Sequence, residues 1–384
     1  MSPVRKLRPL LILGTRPEAI KLAPVIEQCR RRSDLIEPTV CLTGQHCELL
    51  DQATEYFGIQ ADIRLELMRP DQSLAELTAR CVEQIDQVLR RLEPDCVVVQ
   101  GDTTSVMAAS LAAFYRRIPL VHVEAGLRSG DLRAPWPEEL NRRITDSIAA
   151  LHCAPTRRAA DALLAEGALP ETVHVTGNTV VDAVLQTIER ERANAATWRR
   201  KYAMLGQRPL VLITAHRRES FGEPLEDICR AVGTLADRFA DHCFVWPVHP
   251  NPNVQALVNR LLQGRPNVHP IPPAAYGEFV WLMDRSRLIL TDSGGVQEEA
   301  PSLGKPVLVM REVTERPEAV EAGAARLVGT SVEKIVEAAT VLLTDPAEYA
   351  ACQIEQNPFG DGHAAERIVE WMLAGTATNR PTRS

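Results

Sequence analysis

Residues 120–146 read LVHVEAGLRSGDLRAPWPEELNRRITD. The short apolar run Leu120–Val123 has the length and character of a buried strand. It leads at once into Glu124, Arg128, Asp131, Arg133, Glu138, Glu139, Arg142 and Arg143, four carboxylates and four guanidiniums within twenty residues. Pro137 suits the first turn of a helix, and Leu140, Ile144, Ile148 and Leu151 recur along one apolar face. The stretch is therefore one strand–turn–helix unit with polar side chains crowded at the strand's exit. A salt-bridged helix explains part of the crowding. Glu138 with Arg142 and Glu139 with Arg143 are i,i+4 pairs, each contributing about 0.3–0.5 kcal/mol when exposed. That reading leaves Glu124, at the end of a buried strand, without an explanation.

The same alternation runs along the whole chain. Strands are expected at Leu10–Leu13, Pro38–Leu42, Cys96–Gln100, Leu120–Val123, Leu151–Ala154 and Val173–Val175. A second series follows at Leu210–Thr214, Cys243–Val248, Val268–Ile271, Leu288–Thr291, Val307–Met310 and Arg326–Val328. Helical patterns separate them, the signature of parallel βαβ architecture. Residues 180–204 read as helical and polar with no strand. The chain thus divides into an N-terminal α/β domain, 1–179, a helical linker, 180–204, and a C-terminal α/β domain, 205–363, both doubly wound. The amphipathic end, 364–384, is expected to pack back onto the first domain. In such sheets ligands bind outside the carboxyl ends of the strands, so the two sets of strand exits are expected to face one cleft.

Composition narrows the function. The chain has 384 residues, 45% hydrophobic and 24% charged, with a net charge of −7. This is the balance of a soluble two-domain protein, and its acidity argues against a nucleic-acid or anionic-membrane surface. No run approaches the ~18 apolar residues of a membrane span, and the apolar start leads into a turn rather than a signal-peptide cleavage site. Nine cysteines without a Cys-x-x-Cys favour a reducing cytoplasm over a disulfide framework or a zinc site.

The strand exits hold the chemistry. Gly14-Thr15-Arg16 fills the first βα turn with one glycine, which disfavours a dinucleotide fingerprint; Arg16 and Lys21 instead offer charge to an anion. Thr291–Glu299, TDSGGVQEE, places two glycines where a helix begins, so backbone N–H groups can approach a phosphate. The ordinary alternative is a capped helix start with acidic residues in its first turn. His216, Arg217 and Arg218 follow one strand, His249 follows another, and Arg316 adds a further donor, a set suited to a small anion. Asp102 and Glu124 close two neighbouring strands, and carboxylates in different environments can run both acid and base steps.

GTRPEAIK at 14–21, TGQH at 43–46, QGDTTS at 100–105, HVEAGLRSGD at 122–131, PWPEELNRR at 135–143, AHRRESFG at 215–222, PVHPNPNV at 247–254, TDSGGVQEEAPSLGKPVLVMRE at 291–312, ERPEAVEAG at 315–323 and NPFGDGHAAERI near the C-terminus stand in one order. This set closely resembles the non-hydrolysing UDP-N-acetylglucosamine 2-epimerases over almost the whole chain. The resemblance implies two Rossmann-like domains in a glycosyltransferase-B-like arrangement, a homodimer, a cytoplasmic enzyme, and no nicotinamide cofactor or metal. It implies reversible interconversion of UDP-N-acetylglucosamine and UDP-N-acetylmannosamine through a 2-acetamidoglucal and enzyme-held UDP, feeding cell-surface polysaccharide synthesis. Asp102, Glu124 and Glu138 fall at its acid/base positions, and His216 is placed to assist the leaving diphosphate. Arg16, Lys21, Ser293, Gly294, Gly295 and Arg316 fall at nucleotide or phosphate positions. Glu299 falls at the ribose position, and Phe279 with the backbone of Ala274 on the uracil side. Gln45, His46, Arg69, Arg217 and His249 match parts of a second site where some members bind UDP-N-acetylglucosamine as an activator; Cys47 and Glu48 depart from that pattern.

Rival functions are the same chemistry on another UDP-2-acetamido sugar such as a diacetamido-uronate, a hydrolysing 2-epimerase, a glycosyltransferase of the same fold, and a nucleotide-sugar-binding protein without catalysis. The three matched carboxylates weigh against the last two.

Overall fold

The computed structural model describes residues 5–44, 47–69, 71–215 and 222–378. It resolves into two compact units, the first holding the described residues up to Ala183 and again from Phe359, the second Val184–Pro358. The division falls inside a helix rather than in a loop.

In the first unit the order is β1 (Pro9–Leu13), α1 (Arg16–Arg31), β2 (Thr39–Leu42), α2 (Cys47–Tyr56), β3 (Ile63–Arg64), α3 (Leu74–Leu92), β4 (Cys96–Gln100), α4 (Thr104–Tyr115), β5 (Leu120–Val123), α5 (Glu138–Ile148), β6 (Leu151–Ala154), α6 (Arg157–Ala165), β7 (Val173–Val175) and α7 (Thr179–Ala193), which runs across the division. The second unit continues with α8 (Ala195–Lys201), β8 (Leu210–Thr214), α9 (Glu223–Arg238), β9 (Cys243–Pro247), α10 (Pro252–Leu262), β10 (Val268–Ile271), α11 (Tyr276–Arg285), β11 (Ser286–Thr291), α12 (Gly294–Glu299), β12 (Val307–Val309), α13 (Pro317–Glu321), β13 (Ala325–Leu327), α14 (Val332–Thr344) and α15 (Pro346–Ala351). The closing α16 (Ala364–Thr378) returns to the first unit.

Every strand pairing is parallel. The first sheet has the order β3-β2-β1-β4-β5-β6-β7 and the second β10-β9-β8-β11-β12-β13. Parallel strands covered on both faces read as continuous apolar runs, which is why β1, β4 and β8 bury every residue. The order reverses between β1 and β4 in one sheet and between β8 and β11 in the other. Those are the switch points where crevices open beyond the strand ends. In the first unit, Leu10, Ile12, Val97 and Val99 pack against Cys81, Ile85 and Leu89 of α3 and the small face of α4. In the second, Val211, Ile213, Phe244 and Trp246 pack against α9 and α14.

All twelve expected strands appear, with ends shifted by at most two residues. The unexpected strand is β3, two residues at the sheet edge, too short to carry a pattern. The cysteines at 29, 41, 81, 96, 153, 229, 243 and 352 are all free and buried, packed as small hydrophobes. No described helix is long and apolar enough to cross a membrane.

The face of α5 corrects the sequence reading. Of the apolar residues expected along its inner face, Ile148 packs against the core, but Leu140 is 43% exposed. The buried residues are Glu139, Asn141, Arg142, Thr145 and Asp146. Polar side chains can take the inner face because most of their hydrogen-bonding groups meet partners there.

Candidate active site

The first βα turn is closed by the chain's own carboxylate. Thr15 caps α1, and Glu18 completes a capping box. The Glu18 carboxylate accepts from the N–H of Gly14 at 2.5 Å and of Thr15 at 3.1 Å, and from the Thr103 hydroxyl at 2.7 Å. Two of the backbone donors that a phosphate would use at this turn are thus taken from within. The Thr103 bond also ties the β1 exit to the β4 exit. Burial pushes the Glu18 pKa up to about 7, against the pull of those donors.

Glu124 follows β5 with φ +66°, a left-handed conformation that costs a non-glycine residue about 1–2 kcal/mol. Such strain persists only where the surroundings over-determine it, and here they do. Its N–H donates to the Cys153 carbonyl at 3.0 Å. Its Oε1 accepts from Lys21 Nζ at 2.5 Å and from Asn178 Nδ2 at 3.0 Å, and Oε2 accepts from Gln100 Nε2. Lys21 arrives from the second turn of α1, Gln100 is the last residue of β4, and Asn178 precedes α7. Three donors from three separate segments hold one buried carboxylate. Gly126, two residues on, has φ +86°, and a Cβ there would lie 2.2 Å from the Ala159 carbonyl oxygen. Only glycine lets this loop lie so close to α6.

Asp102 lies in the turn between β4 and α4. Its carboxylate, 32% exposed, meets Arg142 Nη2 at 2.9 Å, and its carbonyl accepts from Asn141 Nδ2 at 2.9 Å. Both partners come from the inner face of α5. Arg142 also reaches Glu139 at 3.4 Å, and Glu139 accepts from Arg143 Nε at 3.1 Å and the Ser129 N–H at 3.0 Å. The Glu139–Arg143 pair therefore exists, but with a fully buried carboxylate, not as a solvated helix-face pair. Arg142 turns to Asp102 and Glu139. Glu138 is half-buried at the first residue of α5, directly before this network. Asp102 and Glu124 thus sit in different environments: one partly open beside the Arg142 guanidinium, the other enclosed and met by an ammonium and two amides.

In the second unit Ser293, Gly294 and Gly295 follow β11. The Ser293 N–H donates to Thr291 Oγ1 at 3.0 Å, and Thr291 Oγ1 lies 2.6 Å from Thr214 Oγ1, tying the exits of β11 and β8. Gln297 Nε2 reaches back to the Ser293 carbonyl at 3.0 Å, and Thr314 bonds Gln297 Oε1 at 2.7 Å. The Arg316 Nε donates to Glu298 Oε1 at 2.5 Å. Glu299 accepts from the Tyr276 hydroxyl at 2.9 Å, one helical turn from half-buried Phe279 on α11; Ala274 lies in the loop before that helix. These bonds fix the turn after β11, the Arg316 loop and the start of α11 relative to one another.

Arg16 is exposed at the first position of α1. His249 follows β9, its Nδ1 accepting from the Asn251 N–H at 3.2 Å. Arg69 is exposed between β3 and α3, lining a cavity of about 690 Å³ with Arg64, Glu66 and Arg80. Gln45, His46, His216 and Arg217 lie outside the described residues. Among the described residues, no group of three His, Cys, Asp or Glu could hold a metal ion.

The sequence reading missed Gln100, Asn178, Glu18, Asn141, Arg142 and Tyr276. Asn178 stands just past β7, and Gln100 ends β4, so the strand-exit rule itself could have found both.

Residues 27–373 match the model of the UDP-N-acetylglucosamine 2-epimerase family. The UDP-N-acetylglucosamine 2-epimerase of Yersinia pestis is 50% identical over 368 residues, covering 94% of this chain and 97% of that one. That of Escherichia coli K12 is 49% identical over 365 residues, with the same coverage. The crystal structure of the Neisseria meningitidis enzyme bound to UDP-N-acetylglucosamine superposes with a TM-score of 0.90 at 46% identity, covering 96% of this chain and 100% of that one. With two parallel doubly wound sheets and a match that runs nearly from end to end, the chain belongs to the UDP-N-acetylglucosamine 2-epimerase family.

Proposed function

We propose that the protein interconverts UDP-N-acetylglucosamine and UDP-N-acetylmannosamine by elimination and re-addition of UDP. The C2 hydrogen of the sugar is not acidic by itself. Its removal becomes feasible when the C2–H electron pair forms a C1=C2 double bond as the C1–O bond to UDP breaks. UDP then adds back to C1, and a proton returns to the opposite face of C2. This chemistry needs two proton-transfer groups and a firm hold on the diphosphate.

The observation that carries the reading is the pair of neighbouring strand exits with carboxylates in unlike environments, Glu124 caged by Lys21, Gln100 and Asn178, and Asp102 beside Arg142. Glu138, at the head of the helix that holds Asp102, is the third acid/base group. In the second unit the backbone of Ser293–Gly295, with Arg316, receives the diphosphate, Glu299 the ribose, and Phe279 with the Ala274 backbone the uracil. Arg16 and His216 add positive charge and a proton donor for the leaving diphosphate. The Neisseria meningitidis relative binds UDP-N-acetylglucosamine, which supports this substrate.

Two further assignments accompany it. Two copies pair; apolar Leu132 and Trp136, 47% and 67% exposed ahead of α5, offer surface that pairing would cover, and sedimentation across a concentration series tests this. A second UDP-N-acetylglucosamine activates through Gln45, His46, Arg69, Arg217 and His249, which sigmoidal kinetics would reveal.

The chemistry is tested by incubating the protein with UDP-N-acetylglucosamine in D2O and following the mixture by NMR. Deuterium at C2 of both UDP-sugars is expected. Free N-acetylmannosamine with stoichiometric UDP would identify hydrolysis instead, and absence of C2 exchange would overturn the elimination.

A further inference from the structure

Behind the two strand exits lies a buried ion pair to which the reaction chemistry gives no role. His122, on β5 and fully buried, places Nδ1 2.6 Å from Asp146 Oδ1 and Nε2 2.8 Å from the Gly101 carbonyl oxygen. A carbonyl oxygen can only accept, so Nε2 carries a proton. Asp146 Oδ2 accepts from Arg128 Nη1 at 2.7 Å and from the Gly126 N–H at 3.2 Å. A carboxylate so served by a guanidinium and an amide stays ionised, so Nδ1 also donates. The ring is an imidazolium.

Its two ends touch the backbone that aims the reactive carboxylates. Gly101 immediately precedes Asp102, with φ +82°, and its N–H is held by the Val123 carbonyl at 3.1 Å. Gly126 lies two residues beyond Glu124. A single imidazolium–carboxylate unit therefore spans both turns, from the carbonyl on one side to the N–H on the other.

The charged and titratable groups around it come from every neighbouring element. Asp146 comes from α5, Arg128 from the loop after β5, and Asp102 from the turn after β4. Glu166, at the end of α6, backs Arg128 through a fork at 2.9 and 2.7 Å. His152, the cross-strand neighbour on β6, bonds the Asp146 carbonyl through Nε2 at 2.8 Å. Burial alone would push the His122 pKa down. The Asp146 charge and hydrogen bond, then the Gly101 carbonyl and the Asp102 charge, outweigh burial and raise it.

We propose that His122 and Asp146 are positioning residues whose protonated, buried pair holds the Asp102 and Glu124 turns in register for proton transfer. The inference rests on the reading of Asp102 and Glu124 as proton-transfer groups. Displacement of a reacting group by about 1 Å costs on the order of 100-fold in rate, so small motions of these turns suffice.

The test uses the full chain. Ring 15N shifts of His122 are followed with pH in the unmodified protein, alongside kcat and KM for the UDP-sugar. Both ring nitrogens are expected to stay protonated above the ordinary histidine value of 6.5, with kcat falling along the same titration as pH rises while KM changes little. A ring already neutral at pH 6.5, or a kcat that stays level through the His122 titration, overturns the proposal even where the variants fail to fold. In Asp146→Asn, kcat is expected to drop about 100-fold, with the alkaline limb moved to lower pH and UDP binding kept. An unchanged limb and kcat in the folded variant overturns the proposal equally. Failure of the acid/base reading shows separately, as undiminished C2 exchange in Asp102→Asn and Glu124→Gln.

Discussion

Lys21 Nζ lies 2.5 Å from Glu124 Oε1, and both side chains are buried, 11% and 6% exposed. The pair joins the second turn of the first helix to a strained residue at the exit of the fifth strand. Breaking a buried ion pair from one side is expensive, because it strands a charge. Lys21→Met is therefore expected to destabilise the protein by about 3 kcal/mol in urea titrations. The double variant Lys21→Met/Glu124→Gln, with no stranded charge, should recover part of that loss. A double variant as unstable as the sum of the singles would contradict the pairing.

Catalysis should separate from stability at Asp102. Asp102→Asn keeps the backbone bond to Asn141, and Arg142 keeps Glu139. Turnover is expected to fall by about 10²–10⁴-fold, the usual contribution of a positioned acid or base, with UDP affinity by calorimetry little changed. Glu138→Gln should behave in the same way. Near-normal turnover in either variant removes that residue from the acid/base set.

The inverted face of α5 yields a contrast that an ordinary amphipathic helix would reverse. Leu140→Gln, on the exposed side, is expected to change stability by no more than about 0.5 kcal/mol. Glu139→Gln removes the charge that Arg142 and Arg143 share in a buried setting, and should cost about 3 kcal/mol. Thermal unfolding of the two variants side by side decides between the faces.

Gly126→Ala combines a left-handed backbone with a Cβ placed 2.2 Å from a carbonyl oxygen of α6. Strain of about 1 kcal/mol and overpacking of about 1–3 kcal/mol should add. Because Gly126 also donates to Asp146, turnover should fall beyond the loss of folded protein. Denaturant midpoints and activity per folded molecule measure the two effects.

Stability should respond to pH through the His122–Asp146 pair. The His122 pKa is raised above its ordinary 6.5, so its contribution is complete below about that pH and is lost as pH rises through the folded value. For Asp146, burial acts upward, but His122 and Arg128 hold the pKa below its ordinary 3.8. Its contribution is therefore present above that pH and is lost as pH falls through the folded value. Urea unfolding measured across pH should show both losses, and Asp146→Asn should flatten both.

Much of the fold was legible because parallel strands covered on both faces carry unbroken apolar runs, and the turns beyond them carry the chemistry. Glu124 and Asp102 could be singled out by position alone. The strand exits also offer Gln100 and Asn178, but not their pairing: Gln100, Asn178 and Lys21 stand 24, 54 and 103 residues from Glu124, and no local pattern links them to it. The inner face of α5 was misread because periodicity assumes that charges seek water. Glu139, Arg142 and Asp146 are buried because they satisfy one another and the loops around them, a property of the assembled site. The edge strand β3 was invisible because two residues have no period.

Phe359, in the NPFGDG stretch, accepts from the Asn178 N–H at 2.7 Å, and the Asp182 carboxylate receives the first N–H groups of α16. Asn178 in turn holds Glu124. During synthesis the whole of Val184–Pro358 leaves the ribosome before Phe359 is available. The nascent first unit must wait, its sheet complete but the Asn178 anchor on Glu124 unsecured, until the returning segment arrives. The Asn178 contact with Glu124 is therefore expected to tighten last, when the chain comes back, while Lys21, Gln100 and the Cys153 carbonyl already hold Glu124; a nascent chain halted before residue 359 should hold a folded sheet with a less firmly held Glu124.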